Sequence, residues 1–124
     1  MKIQQKSFTF LAIVTCVMVN FSLPVAADST ADLILNLDCQ GDYKINIWKT
    51  KKSGELLYRS ISPQGKLSLK KGTSQVKEGV RVYQFRNGNY QYWAWDGTLD
   101  SQEAGMLEVY KNNQLQLQQA CTKS

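Results

Sequence analysis

The sequence predicts an all-β fold, a small antiparallel barrel or meander of about eight short strands closed by one disulfide. Three observations carry that expectation. Apolar and polar residues alternate with period two, turn residues recur at short intervals, and cysteines stand near both ends of the patterned region. The chain has 124 residues, enough for one domain, with 15 basic and 10 acidic side chains and no histidine. Without histidine there is no Ser-His or Cys-His nucleophile pair and no imidazole-ligated zinc centre. The composition points to a binding protein rather than an enzyme, with no cofactor and no metal.

The chain opens with an address. Lys2 and Lys6 precede an apolar run from Phe8 to Val19, and Leu23-Pro24-Val25-Ala26-Ala27 supplies small residues at the −3 and −1 positions. This is the layout of a secretory signal peptide over residues 1–27, followed by a single secreted domain over 28–124. The expected location is periplasmic or extracellular. Cys16 lies within the apolar run after Thr15, which does not suit a lipid-anchored leader. Removing the leader leaves Cys39 and Cys121, an even count in an oxidising compartment, and a disulfide between them is expected. A domain this small buries only about 60–68% of its unfolded surface, so a covalent staple matters.

The strands follow in order. Leu33, Leu35 and Leu37 alternate with Ile34, Asn36 and Asp38, and Tyr43, Ile45 and Ile47 alternate with Lys44, Asn46 and Trp48. Further runs cover residues 56–62, 66–70, 80–86, 89–95, 106–111 and 114–121. Gln40-Gly41, Ser53-Gly54, Pro63-Gln64-Gly65, Asn87-Gly88 and Asn112-Asn113 separate them, all with turn chemistry.

Two hairpins can be registered from the sequence. A two-residue Asn87-Gly88 turn pairs Phe85 with Tyr90 and Tyr83 with Tyr92. It puts Phe85, Tyr90, Tyr83 and Tyr92 on one face and Val80, Val82, Trp93 and Trp95 on the other. In the last hairpin a three-residue loop, 111–113, sets Val109 opposite Leu115 and Leu107 opposite Leu117. A two-residue turn would oppose Val109 with Gln116, and the apolar match favours the longer loop.

Charge is uneven. Residues 44–86 hold eleven basic side chains and only Glu55 and Glu78 as acids. Such a sector suits an acidic protein surface or an anionic cell-wall glycan, or it is a solvated face guarding strand edges. Nucleic acid is not indicated, because no recognised motif is present, and no stable membrane insertion is expected once the leader is removed. Trp48 shares its strand face with Lys44 and Asn46 and is the candidate for an exposed contact. Trp93 and Trp95 read either as core or as a stacking platform for sugar rings. Asp96, Asp100 and Glu103 lie in a long connection. A glycosidase pair would need a cleft that a domain this small can hardly enclose, and the spacing of Asp96 to Asp100 does not fit an EF-hand calcium loop.

One arrangement of residues resembles a known family. Cys39 comes first, and the stretch from Gly72-Thr73-Ser74 to Gly79-Val80-Arg81-Val82-Tyr83 follows. Asn87-Gly88-Asn89-Tyr90-Gln91-Tyr92-Trp93, Glu108-Val109-Tyr110-Lys111 and Cys121 complete the order. This order resembles the MliC/PliC-type inhibitors of c-type lysozyme, chiefly in the second half of the chain. The resemblance implies an eight-stranded antiparallel barrel and a loop that enters the lysozyme cleft. The sequence departs from the family's Ser-Gly motif, since Ser74 and Gly79 are separated, and Ala94-Trp95-Asp96-Gly97 holds no lysine.

The expected function is thus a secreted lysozyme-inhibitor-like binding protein acting by loop insertion into an acidic cleft. The polar segment 71–79 is the expected loop, with Ser74, Lys77 and Arg81 as hydrogen-bond donors. The alternatives are a module binding anionic envelope polysaccharide through Trp48 and the lysines of 49–71, or a structural envelope protein.

Overall fold

In a computed structural model, residues 30–124 are described. The leader expected over residues 1–27 lies outside the described residues. Residues 31–124 form one compact unit. Its strands are β1 (Ala31–Cys39), β2 (Tyr43–Thr50), β3 (Leu56–Ser62), β4 (Gly65–Lys77), β5 (Val80–Asn87), β6 (Tyr90–Trp95), β7 (Ala104–Lys111) and β8 (Gln114–Lys123). Each pairs antiparallel with the next, and β8 returns to β1, so the sheet closes into a barrel. The closing seam is thin: Leu37 faces Lys123, Asp38 faces Thr122 and Cys39 faces Cys121. At the last of these pairs the two cysteines are disulfide-bonded.

The interior is filled by one residue in two from each strand. Leu37, Ile45, Ile47 and Leu107 are fully buried, and Phe85 and Tyr58 nearly so. The Tyr58 ring lies 5.3 Å from that of Phe85 and 5.6 Å from that of Tyr92, a tilted aromatic stack across the barrel. Gly72 makes room for it. A Cβ there would stand 2.3 Å from Phe85 Cε2, so the backbone of β4 lies directly against that ring.

Burial pushes the phenol of Tyr58 far above its ordinary range, and the same cause raises Tyr83, Tyr92 and Tyr110. In each the fold favours the neutral phenol. Their stabilising contribution is therefore complete below the unfolded value of about pH 10 and is lost as pH rises through the folded values. Stability should fall steeply above about pH 10. In an alkaline titration followed by near-ultraviolet phenolate absorbance and circular dichroism, one class of tyrosine should ionise only together with unfolding. Ionisation of all six tyrosines ahead of any loss of structure would contradict it.

Three local expectations are corrected. The β5–β6 turn is Gly88-Asn89, not Asn87-Gly88, so Phe85 faces Tyr92 and Tyr83 faces Ala94. Only Gly88 takes a positive φ, 66°, which fits a turn with glycine first. The slip moves each pairing by two residues, and the faces stay as expected: Phe85 and Tyr92 inward, Trp93 and Trp95 outward.

The last hairpin uses the two-residue Asn112-Asn113 turn, both residues left-handed at φ 51° and 66°. A bulge between Tyr110 and Val109 then brings Val109 opposite Leu117. The apolar match is thus made by one extra residue inside the strand, Gln116, rather than one in the loop. In β1 a similar irregularity separates Leu33 from Leu35. It leaves Leu33 45% exposed, while Ile34 packs on the core.

Candidate functional site

The expected loop 71–79 is mostly strand. β4 runs on to Lys77, and only Glu78 and Gly79 form the turn, with φ 53° and 83°. Thr73–Lys77 pairs with Val80–Gln84, forming a ribbon. Thr73, Ser74, Gln75 and Val76 are all exposed, on both faces, whereas opposite them β5 buries Val82 and Tyr83, so the β4 side of the ribbon lies at the edge of the filled interior. Lys71, at φ 57°, bends β4 where its pairing passes from β3 to β5.

Within this hairpin the expected contact residues have partners. Arg81 Nη1 donates to Ser74 Oγ at 3.0 Å. Lys77 Nζ sits 5.0 Å from the centroid of the Trp93 ring, a cation–π contact. Ser74, Lys77 and Arg81 are therefore brought together on one element. Ser74 pairs with Tyr83 and Val76 with Arg81 on the ribbon's inner side, whereas Lys77 lies on the outer side. Trp48 belongs elsewhere, on β2.

Lys77 joins the hairpin to a cluster on the outside of the barrel that the sequence did not reveal. Trp93 and Trp95, 6.3 Å apart and tilted by 48°, cover the fully buried Val82 with Tyr110 beside Trp93. They form neither the barrel core nor a coplanar platform. Beneath them Glu108 is only 7% exposed. Its carboxylate accepts from Trp95 Nε1 at 2.8 Å, Tyr110 Oη at 3.1 Å and Gln118 Nε2 at 3.0 Å. Glu108 stands at an outward position of β7 between buried Leu107 and Val109. That alternation could have flagged it, but its partners come from three other sequence positions.

On the other side, the outward residues of β1–β4 form rows across the sheet. Asn36, Asn46, Arg59 and Ser68 face one another in one row; Asp38, Lys44, Ile61 and Lys66 form the next. These rows line a groove of about 530 Å³. Trp48, paired with Leu33 and Leu57, follows along β2. It is half-buried, its Nε1 is buried without a hydrogen-bond partner, and the Arg59 guanidinium lies 5.9 Å from its ring centroid. Lys44 is bonded to Asp38 at 2.9 Å, which holds the carboxyl below and the ammonium above their ordinary values.

The acids of the long β6–β7 connection do not converge. Asp96 is ion-paired with Lys123, Asp100 lies in an exposed turn, and the Glu103 carbonyl accepts from the Lys123 backbone. Among the described residues no group of three or more histidine, cysteine or acidic side chains is placed to hold a metal. Compared with protein-family models, curated proteins and solved structures, the chain matches none.

Proposed function

We propose that this is a secreted lysozyme-inhibitor-like binding protein, periplasmic or extracellular, whose inserting element is the β4–β5 hairpin rather than a loop. The observation that supports this reading most is the hairpin itself. Its β4 side, Thr73–Val76, is exposed on both faces and adds little to the core. Yet its conformation is held by backbone pairing to the β5 segment that buries Val82 and Tyr83, by Arg81 on Ser74 and by Lys77 on Trp93. An element fixed in shape before binding loses less entropy on association. The fold also has the form that the family resemblance implies, an eight-stranded antiparallel barrel.

Lys71, Lys77 and Arg81 outnumber Glu78 along this segment, so it is complementary to an acidic cleft. Val76, 56% exposed, supplies an apolar contact between the charges. The expected result is inhibition of a c-type lysozyme by the wild-type protein. A Ser74→Ala, Lys77→Ala double variant should lose about tenfold or more in affinity, with the melting temperature lowered by only a few degrees. A wild-type protein that neither binds nor inhibits c-type lysozyme would refute the proposal.

A further inference from the structure

We infer that the groove on the outer face of β1–β4 is a binding site for a carboxylated sugar, of the uronic-acid type, within an envelope glycan. The site shares no residue with the Thr73–Gln84 ribbon of the β4–β5 hairpin and stands or falls independently of lysozyme binding.

Its chemistry carries the inference. Asn36 and Asn46 lie opposite each other, half-buried in the groove. Among the described residues neither side-chain amide has a hydrogen-bond partner within the protein, and the same holds for the polar groups of Arg59, Lys66 and Ser68. Two adjacent amides with donors and acceptors both unspent suit neighbouring hydroxyls, which also donate and accept. A phosphate or sulfate would use only the donors. Arg59 adds a planar fork that fits a carboxylate bidentately, and no acid among the described residues lies within ion-pair distance of it.

Lys66, also without an acidic partner, stands across the groove, and Lys44 shares its charge with Asp38, the one acidic side chain lining it. The apolar complement is at hand. Ile61 is 53% exposed at the groove wall, and the Trp48 ring lies beside Arg59. Sugar rings present C–H faces that pack on such surfaces while their hydroxyls reach polar groups. An acidic peptide could satisfy the cations and pair its backbone with the amides. A uronic-acid ring, however, holds a carboxylate, adjacent hydroxyls and an apolar C–H face on one rigid unit, matching Arg59, the amides and Ile61 together, so the sugar is the better fit. A volume of about 530 Å³ lies within the range of small-ligand sites, about 300–1,000 Å³.

The test is calorimetric titration with a short oligogalacturonate, its methyl-esterified neutral counterpart and a glutamate-rich peptide. The oligogalacturonate should bind, and the neutral ester should bind at least about tenfold more weakly. Arg59→Gln and Asn46→Ala should each weaken binding about tenfold, whereas Arg86→Gln, an exposed cation of β5 outside the groove, should leave it unchanged. Melting temperatures of all three variants check that the barrel is intact. The inference is overturned if the oligogalacturonate does not bind. It is overturned equally if the peptide binds more tightly, or if Arg86→Gln weakens binding as much as Arg59→Gln.

Discussion

Replacing both Cys39 and Cys121 by serine should lower the stability of the domain by about 2–5 kcal/mol, one of the two largest effects expected of any change to it. The bond spans 82 residues, nearly the whole barrel. On the chain-entropy account, a loop of that length is worth about 4.5 kcal/mol through its effect on the unfolded state. The native state adds a second reason. β1 meets β8 through only three residue pairs, whereas β7 meets β8 through eight, so the seam is the weakest ladder in the barrel. With the bond absent, opening should begin there. Chemical denaturation of the oxidised protein and the double-serine variant checks the magnitude. Hydrogen exchange should show protection lost first at residues 37–39 and 121–123. A loss under about 1 kcal/mol would mean that side-chain packing alone keeps the barrel closed.

The barrel was legible because its signals are local and repeated. Alternation in Leu35–Leu37 and Ile45–Ile47 marks inward residues, and the turn residues between runs are those with the torsional freedom a hairpin needs. Closure was legible through the cysteines, which place the last strand beside the first. The errors have a common origin in what a single strand does not record. Asn87-Gly88-Asn89 offers two adjacent turn placements of similar merit, and the pairing of Phe85 with Tyr92 between β5 and β6 decides between them. The bulge at Gln116 likewise answers to Val109 and Leu117 in the core, not to the residues around it.

Segment 71–79 was misread for a more instructive reason. A strand announces itself by having one buried face, and Thr73–Val76 has none. Its strand character comes from the backbone ladder to Val80–Gln84, which leaves no mark on the side chains. The candidate sites divide in the same way. Ser74, Lys77 and Arg81 could be named because they are close in sequence. Asn36, Asn46, Arg59 and Ser68 come from four strands and meet only through the register, so each reads alone as an ordinary outward polar residue. Trp95 and Gln118 likewise reach Glu108 only through the register.

Glu108 is the other position where a large effect is expected. Glu108→Ala should destabilise the protein by about 2–4 kcal/mol, since hydrogen bonds to a charged acceptor are each worth about 1.5–3 kcal/mol and orphaned donors cost more than the mean bond contributes. Three donors converge on that carboxylate, and those of Trp95 and Tyr110 belong to half-buried rings, Tyr110 packed on Trp93, and Trp95 paired with fully buried Val82. Glu108→Gln keeps an acceptor of the same shape but loses the charge and one of the two oxygens, so its cost should be smaller, about 1–2 kcal/mol. The two variants together separate hydrogen bonding from packing. A Glu108→Gln variant as unstable as Glu108→Ala would show that charge, rather than acceptor geometry, holds the cluster. The hairpin should report the change as well. Loosening Trp95 frees its neighbour Trp93, and with it the ring on which Lys77 rests. Hydrogen exchange at Thr73–Lys77 should therefore quicken in Glu108→Ala under conditions where the core remains protected. If exchange in the ribbon is unchanged, the cluster stabilises the barrel wall but does not set the hairpin's conformation.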